Sequence, residues 1–290
     1  MLKKTLFLFS AFLLTVIAAH AERREFVELV SFRVEQDVSG ISLNHETWKK
    51  VKPYRQPLQP QFLVVPKPTE IGVKELFVQS VNDGKYICFR LIWKDPTKDE
   101  TPRIMDFSDG AAIQFPVNRG AFPEFFMGEE KKPVHILHWK AWRGRDKKSG
   151  YQTTKTAYPN MTTDIYTFDY PIKGKGIGKS QAEKDIFIPG RAAQNPLSFP
   201  TKRTIMELSS TGPGTITFKK TINTSGDSEW KEGEWTVVFR RPLTVDDAGS
   251  AQFEAGEKIP VAFAVWEGSR MESGGRKAVS PSWAEVEVAK

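Results

Sequence analysis

Glu75-Leu76-Phe77-Val78-Gln79-Ser80-Val81, then Asn82-Asp83-Gly84, then Lys85-Tyr86-Ile87-Cys88-Phe89-Arg90-Leu91-Ile92-Trp93 is the stretch whose reading decides the fold class. Two runs rich in β-branched and aromatic residues flank an Asp-Gly pair, which is a strong short-range signal for a β-hairpin. Side chains alternate along a strand. Ile87, Phe89, Leu91 and Trp93 therefore share one face, and Tyr86, Cys88, Arg90 and Ile92 share the other. Lys94-Asp95-Pro96 closes the second strand.

Working outward, Ala111 to Pro116 reads as a further strand, as does Val134 to Trp142. In the latter, Val134, Ile136 and His138 share a face opposite to His135, Leu137 and Trp139. Gly214 to Phe218, Trp235 to Arg241, Ile259 to Trp266 and Ala284 to Val288 complete the set. Helical signals are few: Ser180 to Asp185 is long enough for one turn. Residues 145–230 form a long polar, Gly-, Lys- and Thr-rich stretch with little periodicity, which we read as a folded insertion or a surface that orders against partners. The expected architecture is all-β, a β-sandwich with long loops and few short helices, forming one domain over residues 22–290.

Residues 1–21 have the features of a secretory signal peptide: Lys3 and Lys4, an apolar stretch from Leu6 to Ala18, and the small-x-small pattern Ala19-His20-Ala21. An uncleaved N-terminal anchor is the alternative. Arg23-Arg24 follows the apolar stretch, so it is not a twin-arginine signal. The expectation is an exported protein in the periplasm or an equivalent compartment, with no membrane span. Cleavage takes the 290 residues down by 21 to 269, and the net charge of +7 down by two to +5. The basic residues are scattered among acids, which is no nucleic-acid footprint.

Cys88 is the only cysteine. It excludes an intrachain disulfide, a Cys-x-x-Cys-His haem attachment and an iron–sulfur cluster, and it reads as a half-buried small hydrophobe. Lys173-Gly174-Lys175-Gly176-Ile177-Gly178-Lys179 lacks phosphate-loop spacing. No Gly-x-Ser-x-Gly elbow and no carboxylate pair stands out. No conventional catalytic constellation is present.

Two distant segments remain. One is Phe125-Phe126-Met127-Gly128, followed by Pro133 to Lys140. The other is Ala264-Val265-Trp266-Glu267-Gly268, running on to Gly275-Arg276-Lys277-Ala278-Val279-Ser280-Pro281-Ser282-Trp283. Together with Tyr86 to Trp93 and Asp109 to Pro116, they resemble the haem-b-binding gamma subunits of the periplasmic molybdenum enzymes. These include ethylbenzene and dimethylsulfide dehydrogenases, selenate and chlorate reductases and nitrite oxidoreductase. The resemblance spans roughly Glu75 to Trp283.

That resemblance implies one non-covalent haem b held by a methionine and a lysine, which fall on Met127 and Lys277. It also implies a molybdenum-containing alpha subunit and an iron–sulfur beta subunit as partners, with electrons passing between the iron–sulfur clusters and a soluble c-type cytochrome. A thioether favours ferrous iron. A lysine must shed its proton to bind a metal, which burial promotes. Phe125 and Phe126 are placed to pack on a porphyrin edge. Arg119, Lys140, Trp142 and Arg143 are candidate partners for the haem carboxylates. His138 is the rival second ligand; His135 and His138 point to opposite faces and form no pair. Neither has a carboxylate neighbour at zinc-site spacing.

Two other classes stay open on the residues. One is a secreted carbohydrate-binding module using Trp139, Trp142, Trp230 and Trp235 as a platform. The other is a haem enzyme with a vacant iron position.

Overall fold

The computed structural model describes residues 28–120, 123, 127–161 and 189–290. The signal-peptide reading, the Ser180–Asp185 turn, Phe125 and Phe126 lie outside the described residues. Among the described residues fourteen strands form one hydrogen-bonded sheet that folds over into two packed layers, eleven along a single path, with β2, β3 and β13 branching from it. They are β1 (Leu29–Arg33), β2 (Tyr54–Pro57), β3 (Gln59–Pro60), β4 (Glu75–Asn82), β5 (Tyr86–Lys94), β6 (Gly110–Pro116), β7 (Val134–Lys140), β8 (Ile205–Ser210), β9 (Thr217–Phe218), β10 (Ser225–Lys231), β11 (Glu234–Pro242), β12 (Lys258–Trp266), β13 (Ala278–Val279) and β14 (Ala284–Val288). The order is β10-β11-β5-β4-β1-β14-β12-β6-β7-β8-β9. The fold is all-β, with few helices.

β12 is the corner. Its first half, Lys258 to Val261, pairs with β14, and its second half, Ala262 to Trp266, pairs with β6. A strand that changes partners midway is how one sheet becomes two layers. β1 lies parallel to both β4 and β14 and joins them in the first layer.

β4 and β5 form the expected hairpin. Gly84 takes φ +82°, and the Asp83 carboxylate accepts from the Lys85 and Tyr86 amides at 2.8 and 2.7 Å. Ile87, Phe89, Leu91 and Trp93 all lie in the central core. There they meet the inward faces of β6, β7 and β11. The Phe89–Phe115 centroids are 5.6 Å apart, Trp93–Trp139 5.9 Å and Trp139–Trp235 4.9 Å, mostly tilted or edge-on, as ring quadrupoles prefer. Each such side chain contributes about 2–3 kcal/mol by burial. The opposite face of β5 is covered by Val38, Ile41, Trp48 and Val51. Cys88 is fully buried there rather than half-buried, with its thiol donating to the Val38 carbonyl at 3.1 Å. Burial, the largest cause, pushes that thiol pKa up.

Three expectations change. β7 ends at Lys140, and Trp142 belongs to helix α1 (Ala141–Ser149). The polar run from Arg143 to Lys148 cannot alternate across a sheet, and the Ala141 amide is taken by the Asp109 carbonyl. The strand at Gly214–Phe218 shrinks to β9, because Gly212 and Gly214 adopt φ +144° and +85°. The polar stretch 145–230 carries β8 and β10, both paired in the sheet. β8 escapes a hydrophobicity reading because Glu207 points inward. Its Oε2 accepts from His135 Nε2 at 3.1 Å, and its Oε1 accepts from the Asn223 and Thr224 amides. His135 Nδ1 is met by the Arg241 guanidinium and the Ala251 amide, both at 3.3 Å. This buried network ties β7, β8 and β11 together.

Among the described residues, no helix is long and apolar enough to cross a membrane.

Candidate functional site

The outward face of β12, β6, β7 and β8 is the floor of a cavity of about 460 Å³. The strand registers lay that floor out in two rows. One row is Ala264, Ala112, His138 and Met206; the next is Ala262, Gln114, Ile136 and Leu208. Large residues of the same strands (Ile113, Phe115, Val261, Phe263) point inward, while the alanines between them point out and leave room. The loops Gln61–Val64, Pro213–Ile216 and Ser273–Lys277 supply the walls. A volume of this order, mostly apolar with a few convergent polar groups, suits a bound organic cofactor.

Met127 and Lys277, 150 residues apart, meet in this cavity with Lys277 Nζ 3.8 Å from Met127 Sδ. Met127 sits at φ +76°, a conformation a non-glycine residue adopts at a cost on the order of 1 kcal/mol. Two side chains hold it there. The Met127 amide donates to Gln114 Oε1 at 3.1 Å, and its carbonyl accepts from Ser210 Oγ at 2.6 Å. Gly128 follows at φ +85°, where a Cβ would lie 2.6 Å from the Ser210 carbonyl oxygen.

Lys277 enters from the turn closed by Arg276 N–H on the Ser273 carbonyl, at the start of β13. Its amine lies 5.1 Å from the centroid of Trp266. Although the stem is half-buried along the cavity wall, the ammonium is enclosed, and burial lowers its pKa to about 8. Among the described residues no carboxylate pairs with it. Ser280 and Trp283 lock this segment in place: Ser280 Oγ accepts from the Phe263 amide at 2.9 Å, and Trp283 Nε1 donates to the Pro123 carbonyl at 3.0 Å.

His138 shares the cavity, its ring tilted against Trp266 with centroids 5.2 Å apart. Its Nε2 is buried without a hydrogen-bond partner among the described residues, and burial, reinforced by Lys140, pushes its pKa down to about 3. Lys140 lines the same end, its pKa lowered by burial and by Arg143. Arg143 lies over Trp142 at 4.6 Å, fully buried, with both terminal nitrogens lacking a hydrogen-bond partner. Burial lowers its pKa to about 10.

The cavity thus gathers Met127, Lys277, His138 and Lys140. Arg119 stands elsewhere: it pairs with Glu254 and Glu257 at 2.8 and 3.1 Å and does not line the cavity. Gln114 and Ser210 carry no signal of such a role in the sequence, because a polar residue in a strand and a serine at a strand end have no distinctive pattern; Trp266 stands in one of the resembling segments, where it had no assigned role. The tryptophan platform of the sugar-binding alternative does not form, since Trp139 and Trp235 are buried in the core. Among the described residues no group of three or more His, Cys, Asp or Glu is placed to hold a bare metal ion.

A Haloferax mediterranei protein named as a respiratory nitrate reductase haem subunit is 27% identical over 236 residues, 81% of this chain and 64% of that one. The chlorate reductase gamma subunit of Ideonella dechloratans is 26% identical, over 73% of this chain and 64% of that one. The dimethylsulfide dehydrogenase gamma subunit of Rhodovulum sulfidophilum is 24% identical, over 74% of this chain and 60% of that one. The chain spans under two thirds of the length of each. A family 9 carbohydrate-binding module from Caldicellulosiruptor kristjanssonii, solved with glucose, covers 90% of this chain and 95% of its own. Its identity is 9% and its TM-score 0.38, too slight a likeness to bear on function. The model of the ethylbenzene dehydrogenase family matches residues 45–278, and the chain belongs to that family.

Proposed function

We propose that the cavity holds one non-covalent haem b, with Met127 Sδ and Lys277 Nζ as its two axial donors. The observation that carries this reading is the approach of those two atoms to 3.8 Å inside an apolar cavity. A soft thioether and an amine stripped of its counter-ion make a chemically coherent donor pair for iron. Such iron supplies a one-electron couple.

The chain's residues then have distinct tasks. Met127 favours the reduced metal through its thioether. The enclosed site holds Lys277 partly deprotonated, which is the form that can bind. Ala112, Ala262, Ala264, Ile136 and Leu208 exclude water, which keeps the surroundings of the site rigid and of low dielectric. Lys140 supplies positive charge at one end of the cavity, suited to a carboxylate, with the buried Arg143 guanidinium behind it adding to the local positive field. By sequence alone, Phe126, next to Met127 in the chain, is a candidate to contact the porphyrin. With Met127 and Lys277 both donating to it, a bound haem would serve electron transfer rather than turnover of a substrate at the iron.

In this reading the chain is the gamma-type subunit of a molybdenum oxidoreductase complex in an exported compartment. It relays single electrons between an iron–sulfur beta subunit, fed by the molybdenum-containing alpha subunit, and a soluble c-type cytochrome. The support is family membership together with the donor pair.

The test is a visible spectrum of the purified protein after haem addition, with and without carbon monoxide. A sharp low-spin spectrum that carbon monoxide leaves unchanged, and that is lost in Met127→Ala, is expected. A high-spin spectrum that responds to carbon monoxide, or no uptake of haem, overturns the proposal.

A further inference from the structure

Gln114 carries no charge and no motif role, yet with His138 it is a polar side chain set among the apolar residues of the cavity floor. It lies on β6 between Ala262 and Ile136 in the strand register. It is 7% exposed, so a strand neighbour of ordinary chemistry there would be apolar. Its two amide ends do different things. Oε1 accepts from the Met127 backbone amide at 3.1 Å. Nε2 is buried with no acceptor among the described residues. A buried amide with one end left unmade is costly unless the site needs it.

Ser210 acts on the same residue from the other side. Its Oγ donates to the Met127 carbonyl at 2.6 Å and lies 2.9 Å from the Gly212 carbonyl oxygen. Gln114 sits on β6 and Ser210 ends β8, with β7 between them. Met127 is therefore clamped at its amide and at its carbonyl by the two strands that flank β7. The clamp fixes a left-handed backbone that Met127 would not adopt unaided. Its consequence is where the thioether points: toward Lys277 and not into solvent.

We infer that Gln114 and Ser210 are positioning residues for the thioether of Met127, and that the free Nε2 of Gln114 is a hydrogen-bond donor held for the occupied site. The inference rests on the haem reading above, but it concerns a different set of residues. Neither side chain is a ligand. Both act through Met127, in the way that outer hydrogen bonds orient metal ligands and tune them.

The experiment compares wild type, Gln114→Leu, Gln114→Glu and Ser210→Ala, each titrated with haem. The readings are haem affinity, the thioether-to-iron charge-transfer band and thermal unfolding of the haem-free protein. Gln114→Leu removes the acceptor at nearly constant volume, whereas Gln114→Glu keeps an oxygen facing the Met127 amide. The expected result is loss of the charge-transfer band and haem affinity weaker by about 10–100-fold in Gln114→Leu. The band persists in Gln114→Glu, and Ser210→Ala is intermediate.

A wild-type band and affinity in both Gln114→Leu and Ser210→Ala overturn the inference and leave the haem reading standing. If wild type takes up no haem, the reading itself falls and the inference with it. If Gln114→Leu does not fold, Ser210→Ala decides, because it loosens the same residue from the other strand: an unchanged band there refutes the clamp.

Discussion

Lys277→Leu tests the site in its simplest form, because its effects on stability and on binding should have opposite signs. The substitution keeps an apolar side chain that offers iron no donor and deletes the amine. In the haem-free protein that amine is enclosed beside Met127 and Trp266 with no carboxylate partner among the described residues, and burial takes its pKa from 10.5 to about 8. At about 1.4 kcal/mol per tenfold change in proton affinity, this is a penalty of about 3 kcal/mol on the charged form. The stem is half-exposed to the cavity, and solvent screening brings the expected gain for the variant to about 1–2 kcal/mol at pH 7.

The sign follows from proton linkage. The folded-state pKa lies below the unfolded one, so between about pH 8 and 10.5 the unfolded chain holds a proton that the folded chain has released. Wild-type stability should therefore rise through that window, and the variant's advantage should be full below it and gone above it. Urea unfolding of the haem-free proteins at pH 7 and pH 11 reads this directly, while haem titration of the same variant should show loss of low-spin uptake. A variant less stable than wild type at pH 7, or an advantage that does not change with pH, refutes the account of Lys277 as a buried, unpaired amine.

Lys277→Arg should abolish low-spin haem binding as fully as Lys277→Ala, since a guanidinium keeps its proton and offers no lone pair; retained binding measured by titration returns the second ligand to His138. Glu207→Gln should cost about 3–5 kcal/mol in thermal or urea unfolding, because it weakens a buried charge network around His135 and Arg241. Glu207 is held down to about 2, where desolvation is outweighed by its hydrogen bonds from His135 and Thr224. Its contribution is therefore present above the usual carboxylate range and lost as pH falls toward 2, and the glutamine variant should lack that acid-dependent loss. Gly128→Ala places a Cβ 2.6 Å from the Ser210 carbonyl at positive φ; a lowered melting temperature together with weaker haem retention is expected. In a reconstituted complex, backbone amides between Tyr151 and Lys202 should exchange more slowly than in the isolated chain, and unchanged exchange would remove that stretch as the partner-facing surface.

The sequence alone was enough for the alternation that makes β5 and β7 two-faced, for the β4–β5 turn, and for the corner strand β12. Those patterns are local: a period of two and an Asp-Gly pair need no knowledge of what lies opposite. The resemblance of their surroundings also singles out Met127 and Lys277, which the fold then brings to one cavity. The sequence was not enough to distinguish Arg119 from Lys140, because both are basic residues near Met127 in the chain. Only the fold places one against Glu254 and Glu257 and the other at the cavity wall. Glu207 made β8 look polar, and its charge is intelligible only beside His135 on the neighbouring strand. Gln114 and Ser210 come together through register, since the positions of β6 and β8 relative to β7 bring them to the amide and the carbonyl of one residue, Met127. Alternation is written into a single strand. The meeting of Met127, Lys277, Gln114 and Ser210 depends on long-range pairing, and that is settled only when the layers close.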